Sequence, residues 1–68
     1  MIVVVNGAQR EIADDATIAD LVADLGRDPR LPGVAVAVHG EIVPRGEWQV
    51  TPLDAGQRVE VIGAAQGG

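Results

Sequence analysis

The residues with the clearest chemical potential stand at the end of the chain, where the sequence AAQGG closes on Gly67 and Gly68. Two consecutive terminal glycines are uncommon at average glycine usage. Glycine has no Cβ, so this end could pass through a narrow channel into the pocket of another protein. A carboxylate is a poor electrophile until it is activated there, for example as a mixed anhydride. The pattern therefore predicts a reactive group on Gly68.

The residues before this pair favour a thin, extended arm. Ala64, Ala65 and Gln66 have no branched side chain that would hold the tail in a sheet. At about 3.3 Å per residue, residues 64–68 could carry the carboxylate about 16 Å from the folded domain. A terminus that can bury little is usually poorly ordered, so we expect a flexible tail over residues 63–68.

The rest of the composition offers no side-chain amine or thiol that could capture an activated carboxylate, because the chain contains neither lysine nor cysteine. The N-terminal amine is then the only amine that could attack an activated acyl group. His39 is the sole histidine, and since no nucleophile accompanies it we do not expect it to act as a catalytic base. Without cysteine or a cluster of metal ligands, the sequence predicts neither a disulfide nor a metal site.

Length and charge narrow the class of protein. The chain has 68 residues, which predicts a single domain over residues 1–68, and its net charge is −5. No apolar run reaches the roughly 18 residues of a membrane span, and the start lacks the pattern of a signal peptide. We expect a cytoplasmic protein that binds neither membrane nor nucleic acid. The basic residues are scattered arginines that form no stripe for a phosphate backbone: Arg10, Arg27, Arg30, Arg45 and Arg58.

The first half of the chain has the pattern of a hairpin followed by a helix. MIVVVNGAQREI contains two short strands around Asn6-Gly7, a dipeptide that supplies the positive φ angles of a type I′ turn. The spacing of the apolar residues that follow predicts a helix over residues 17–25. Thr17 is a good N-cap for it, and Asp20 three residues on completes a capping-box-like pattern. Gly26 stands where a left-handed C-terminal cap would lie.

The second half has the pattern of strands and turns. Residues 34–38 alternate valine with alanine, a tight turn follows at His39-Gly40, and a short fourth strand stops at Pro44. An irregular connection leads to a final strand over residues 57–62, with Val59 and Val61 on one face and Arg58, Glu60 and Ile62 on the other. A single helix can cover one face of one sheet, which predicts the α+β class. The order of elements predicts a β-grasp, with a mixed sheet of four to five strands and one helix across one face.

Several segments taken together resemble a known family. VNG near the start, TIADLVADLG in the helix, VAVAVHGEIVPRGEW in the middle, LDAGQRVEVI and the final GG look like the sulfur-carrier proteins of thiamine biosynthesis, the ThiS family. The resemblance covers nearly the whole chain and implies the ubiquitin-like β-grasp fold with a diglycine tail after the last strand. Two features depart from the family: His39 replaces a more common asparagine, and residues 63–65 lack a larger aliphatic side chain.

The resemblance also implies a function. An ATP-dependent, ubiquitin-activating-like adenylyltransferase would adenylate the terminal carboxylate, here on Gly68. A persulfide sulfur, from a donor such as a cysteine desulfurase, would displace AMP and leave a thiocarboxylate, and thiazole synthase would take that sulfur into the thiazole ring of thiamine. The chain would then be a co-substrate and not an enzyme. It would bind no cofactor itself, since ATP belongs to the partner.

Other classes of protein share parts of this pattern. A sister sulfur carrier for molybdopterin or cysteine synthesis would have the same C-terminal chemistry and a different acceptor enzyme. A ubiquitin-like modifier could not build lysine-linked chains on itself, because the chain has no lysine. A regulatory β-grasp module that binds a ligand or RNA would not need a terminal diglycine. Fold alone does not separate these classes.

The short reach of the arm predicts where partner enzymes bind. A docking surface far from the start of the arm would leave the carboxylate outside the partner's pocket. We therefore expect partners to contact the sheet end near the last strand, around Arg58, Glu60 and Ile62, and then the tail itself. The tail residues in this prediction are Ala64, Ala65, Gln66 and Gly67.

Two further predictions concern the remainder of the surface. Asp20 and Asp24 would lie one turn apart on the solvent side of the helix, where we expect them to serve mainly solubility. Trp48 is interpreted as a half-buried cover beside the sheet, with an interface anchor as the alternative, since tryptophan is enriched in interface hot spots.

Overall fold

A computed structural model of the chain describes residues 1–30 and 32–63. The predictions for residues 64–68 lie outside the described residues. The connection that is predicted to be irregular contains a 3-10 helix. The elements run in the order β1 (Ile2–Val5), β2 (Ala8–Glu11), α1 (Ile18–Asp24), β3 (Val34–Val38), β4 (Glu41–Ile42), the 3-10 helix (Arg45–Val50) and β5 (Arg58–Gly63).

The strands form one mixed, five-stranded sheet in the order β2-β1-β5-β3-β4. β1 pairs antiparallel with β2 and parallel with β5, while β3 pairs antiparallel with both β4 and β5. The last strand of the chain therefore lies in the centre of the sheet. The prediction of an α+β fold with four to five strands and one α-helix is confirmed.

Both hairpins close through a pair of residues with positive φ. Asn6 and Gly7 have φ angles of 51° and 84°, and His39 and Gly40 have the same two values. Such a pair defines the type I′ turn, whose twist matches that of the strands it joins. Asparagine and histidine enter this left-handed region more readily than most residues, so the two turns fix the register of the sheet at little cost.

The helix begins at a capping box. The Thr17 hydroxyl accepts the Asp20 N–H at 3.2 Å, and the Asp20 carboxylate accepts the Thr17 N–H at 3.0 Å. Helix α1 is one residue shorter at each end than predicted, because Thr17 and Leu25 are its cap residues. Gly26 follows with a φ of +86°, as its predicted capping position requires.

The two helical aspartates therefore do more than keep the domain soluble. Asp20 belongs to the capping box, and the Asp24 carboxylate accepts the Arg10 guanidinium of β2 at 3.0 Å. The pair between Arg10 and Asp24 joins the edge strand to the helix that packs across it. The pair between Arg10 and Asp24 is exposed, so it contributes little to the free energy of unfolding.

Trp48 lies in the hydrophobic core. Its side chain is 2% exposed and packs with the buried residues of α1 and the sheet, among them Ile18, Val36 and Val59. The indole N–H donates to the Val43 carbonyl at 2.9 Å, which satisfies its one polar group. The prediction of a half-buried cover is wrong, because the 3-10 helix turns the indole inward.

Asp28 forms a local ion pair with Arg30 in the loop after α1, and its carboxyl group is expected to titrate at unusually low pH. The Asp28 carboxylate accepts the Arg30 guanidinium at 2.8 Å and its backbone N–H at 2.9 Å, and these bonds lower the pKa of Asp28 to about 2. A depressed folded-state pKa stabilises the fold above the ordinary value of 3.8, and this contribution is lost as the pH falls toward 2. Carboxyl NMR titration should show Asp28 ionising near pH 2 in the native chain and nearer its ordinary value in Arg30→Gln. An ordinary pKa in the native chain would contradict the pairing.

Candidate functional site

The candidate site is the end of strand β5, after which residues 64–68 follow in the sequence. We call residues 61–63 the tail root. Gly63 is the last residue of β5 and is paired in register with Val34 of β3. The predicted tail thus begins one residue too early, since Gly63 belongs to the sheet. The predicted reactive carboxylate on Gly68 lies outside the described residues.

Strand β5 presents different chemistry on its two faces. Val59 is fully buried against the helix side, and Val61 packs partly against the same core. The alternation of a strand places Arg58, Glu60 and Ile62 on the opposite, open face of the sheet, as predicted. The structure therefore brings Arg58 and Ile62 onto one surface. At about 3.3 Å per residue they lie about 13 Å apart along the strand, with Ile62 in the tail root.

Other apolar side chains lie on the same open face as Ile62. Ile62 is paired in register with Ala35, and Ile42 is paired with Ala37 one step further along β3. Ile62 is 54% exposed and Ile42 is 65% exposed. We call Ala35, Ile42 and Ile62 the open-face patch. Ala35 and Ile62 are paired neighbours and Ile42 lies on the strand beyond β3, so these side chains offer an apolar candidate surface for protein interaction.

On the helix side, the tail root lies against Arg27. A Cβ added to Gly63 would stand 2.6 Å from the Arg27 Nη2 atom and 3.1 Å from its Cζ atom. The guanidinium therefore occupies the space that a side chain at position 63 would fill. No pattern in the sequence indicates this role of Arg27, because its contact is with a residue far along the chain.

On the side of β5 that faces β1, Val61 of the tail root is hydrogen-bonded to the Asn6 side chain. The Asn6 Oδ1 atom accepts the Val61 N–H at 2.9 Å, and the Asn6 Nδ2 atom donates to the Val61 carbonyl at 3.2 Å. The sequence identified Asn6 as a turn residue and missed this second contact. The turn at Asn6 can be recognised from the neighbouring glycine. The hydrogen bond to Val61 depends on how strands that are far apart in the sequence are arranged in the sheet.

The N-terminal amine is held by other groups. It donates to the Ile12 carbonyl at 2.7 Å and to the Asp14 carboxylate at 2.9 Å. The hydrogen bond and the charge of this amine lower the pKa of the Asp14 carboxyl. An ammonium group in such contacts has no free lone pair, so it is a poor nucleophile. These contacts disfavour attack on an activated carboxylate by the one amine that the sequence offers.

Within residues 1–30 and 32–63, no three or more of the metal-ligating side chains converge on a point where a metal ion could be held. None of the helices in that part of the chain is both long and apolar enough to cross a membrane.

One helix across a mixed sheet, with the last strand in its centre and exposed at its end, defines a ubiquitin-like β-grasp protein. The sequence matches the ThiS family over residues 3–68. The chain belongs to the ThiS family. Among solved structures, it is similar to the crystal structure of a thiamine biosynthesis protein (ThiS) from Geobacter metallireducens, with 26% sequence identity, a TM-score of 0.80 and all of both chains covered. No curated protein sequence matches it. The resemblance that the sequence motifs indicated is thereby confirmed, as is the β-grasp fold.

Proposed function

We propose that this protein carries sulfur as a thiocarboxylate on Gly68 and donates it to thiazole formation in thiamine biosynthesis. It acts in the cytoplasm as a co-substrate of an ATP-dependent adenylyltransferase and of thiazole synthase, and is not itself an enzyme. The observation that carries the proposal is the match to the ThiS family over residues 3–68, which includes the diglycine end.

The chemistry asks little of this chain beyond its carboxylate. A carboxylate oxygen attacks the α-phosphorus of ATP, which forms an acyl adenylate and releases pyrophosphate. A persulfide sulfur, from a donor such as a cysteine desulfurase, then attacks the acyl carbon and displaces AMP. A thiol cleaves the resulting S–S bond, supplying the two electrons, and the thiocarboxylate remains. The partners supply ATP, sulfur and catalytic groups, while this chain supplies an arm and a surface on which they dock.

The open-face patch and Arg58 are the proposed docking surface. Ile62 lies in the tail root, and Arg58 lies at the far end of β5 on the same face. A partner that covers this face holds the start of the arm next to its own pocket. Burial of an exposed isoleucine on binding removes apolar area from water, which favours association.

This docking surface is expected to show in the kinetics of adenylation. Ile62→Ser should raise the KM for the carrier about tenfold, because a central apolar contact is typically worth more than 1 kcal/mol. Val50→Ser is the matched control, since Val50 is 76% exposed and lies on the 3-10 helix. Steady-state release of pyrophosphate with the adenylating enzyme and ATP measures both variants.

Arg58→Gln should raise the KM less than Ile62→Ser, because Arg58 is farther from the tail root. Asp24→Asn should have the smallest effect, since Asp24 lies on α1 and contacts Arg10 of β2. A larger effect from Asp24→Asn or Val50→Ser than from Ile62→Ser would move the docking surface away from the open face and contradict the proposal.

A further inference from the structure

The Asn6 side chain continues a ladder of hydrogen bonds that the backbone of β1 cannot complete. The Val4 N–H donates to the Gln57 carbonyl and the Asn6 N–H donates to the Val59 carbonyl, both at 2.9 Å. Strand β1 then turns away into the hairpin at residues 6 and 7. The next backbone groups along the same edge of β5 belong to Val61, and the Asn6 carboxamide binds both of them.

A carboxamide suits this position because it offers one acceptor and one donor in a plane, as a peptide group does. The Oδ1 atom takes the Val61 N–H at 2.9 Å, and the Nδ2 atom reaches the Val61 carbonyl at 3.2 Å. The side chain thus replaces the strand residue that would otherwise have paired with Val61. The left-handed φ of 51° at Asn6 places the side chain where the strand would have continued.

We propose that Asn6 is a positioning residue for the C-terminal arm. This rests on the proposed function, and it assigns to the first hairpin a part in the loading reaction. Val61 lies two residues before the end of β5, so the bonds from Asn6 fix the backbone from which residues 64–68 depart. Val34 flanks the same end of β5 on the neighbouring strand, and Arg27 lies against Gly63 on the helix side. Asn6 supplies the contact on the remaining edge.

The expected consequence is a change in turnover and not in docking. Asn6 is not among the residues of the open-face patch or Arg58, and Ile62 stays paired with Ala35 of β3, so the loss of Asn6 removes no docking contact. A tail root that has lost its edge contact samples more directions, and the carboxylate is less often aligned with ATP. Misplacement of a reacting group by about 1 Å can cost as much as 100-fold in rate. The effect should therefore appear in kcat, with KM unaltered.

The matched pair of variants is Asn6→Gly and His39→Gly. The two turns have identical φ angles of 51° and 84°, and glycine is compatible with each. Both substitutions remove a side chain from the first turn position, but only Asn6→Gly removes bonds to β5. Two measurements compare them: hydrogen exchange at the Val61 amide of the isolated chain, and kcat and KM for adenylation with ATP and the adenylating enzyme. Asn6→Asp is a third variant, since it retains an acceptor for the Val61 N–H and loses the donor to its carbonyl.

For Asn6→Gly we expect Val61 exchange to accelerate about tenfold and kcat to fall about tenfold, in line with the loss of two local hydrogen bonds and of alignment. Asn6→Asp should fall between this variant and the native chain, and His39→Gly should match the native chain in both measurements. An unchanged kcat in Asn6→Gly, a rise in KM alone, or an equal loss in His39→Gly would overturn the proposal. If the native chain itself is not adenylated, the proposed function fails. If the native chain and Asn6→Gly are adenylated alike, only the role of Asn6 fails.

Discussion

Removal of Gly67 and Gly68 is expected to abolish adenylation and sulfur loading without lowering the melting temperature of the domain. In the part of the chain that the structure describes, the hydrophobic core cluster extends from Val3 to Val59, and a glycine has no side chain to bury. The deletion shortens the arm by about 7 Å, which withdraws the new carboxylate from a pocket built for the full length. Loading should fall below detection, which is the largest effect on function that a change in this chain can have.

The truncated chain also provides its own control. Its docking surface is intact, so it should compete with the full chain for the adenylating enzyme, with an inhibition constant near the KM of the full chain. Thermal unfolding by circular dichroism, followed for both chains, tests the claim about stability. A large drop in melting temperature would show that the two glycines are packed structure, and persistent loading would place the chemistry elsewhere in the chain.

Replacement of Trp48 by alanine is expected to be the most destabilising single substitution in the domain. The side chain is 2% exposed and is the largest in the core. Truncation of a buried aromatic residue to alanine typically costs about 3–5 kcal/mol, through lost burial and the cavity left behind. The Val43 carbonyl also loses the indole N–H that it accepts at 2.9 Å. Because a domain of this kind is stabilised by only about 5–15 kcal/mol, much of its stability would be lost.

Urea unfolding, followed by far-ultraviolet circular dichroism, measures this effect. Trp48→Phe should lie between the native chain and Trp48→Ala, because phenylalanine fills part of the cavity and lacks the N–H. Val50→Ala is the control from the same 3-10 helix, and its high exposure predicts almost no change in the midpoint. A Trp48→Ala variant as stable as Val50→Ala would mean that the indole is not part of the core.

The elements that follow local rules could be predicted from the sequence. Asn6-Gly7 indicates a type I′ hairpin because glycine and asparagine tolerate positive φ, and the helix follows from apolar spacing and from Thr17 at its start. The 3-10 helix has no comparable pattern. Its position depends on the indole of Trp48 filling space between α1 and the sheet, a tertiary effect that local propensity does not contain.

Some residues of the candidate site could likewise be predicted from the sequence, and others could not. Alternation along the last strand correctly places Arg58 and Ile62 on one face, opposite Val59. The contacts of Asn6 and Arg27 with the last strand could not be predicted from the sequence, because they reach Val61 and Gly63, far along the chain. The reactive role of Gly68 was proposed from two glycines and a family resemblance, and it remains the prediction on which the account depends.

The mass of the intact protein is the measurement that tests this central claim most directly. The chain is incubated with ATP, a persulfide source and its adenylating enzyme, and its mass is compared with that of a sample lacking ATP. The account predicts a gain equal to the exchange of one oxygen for one sulfur, located by fragmentation in the C-terminal peptide that ends at Gly68. An unchanged mass under conditions where the enzyme is active, or a sulfur located in any other part of the chain, would contradict it.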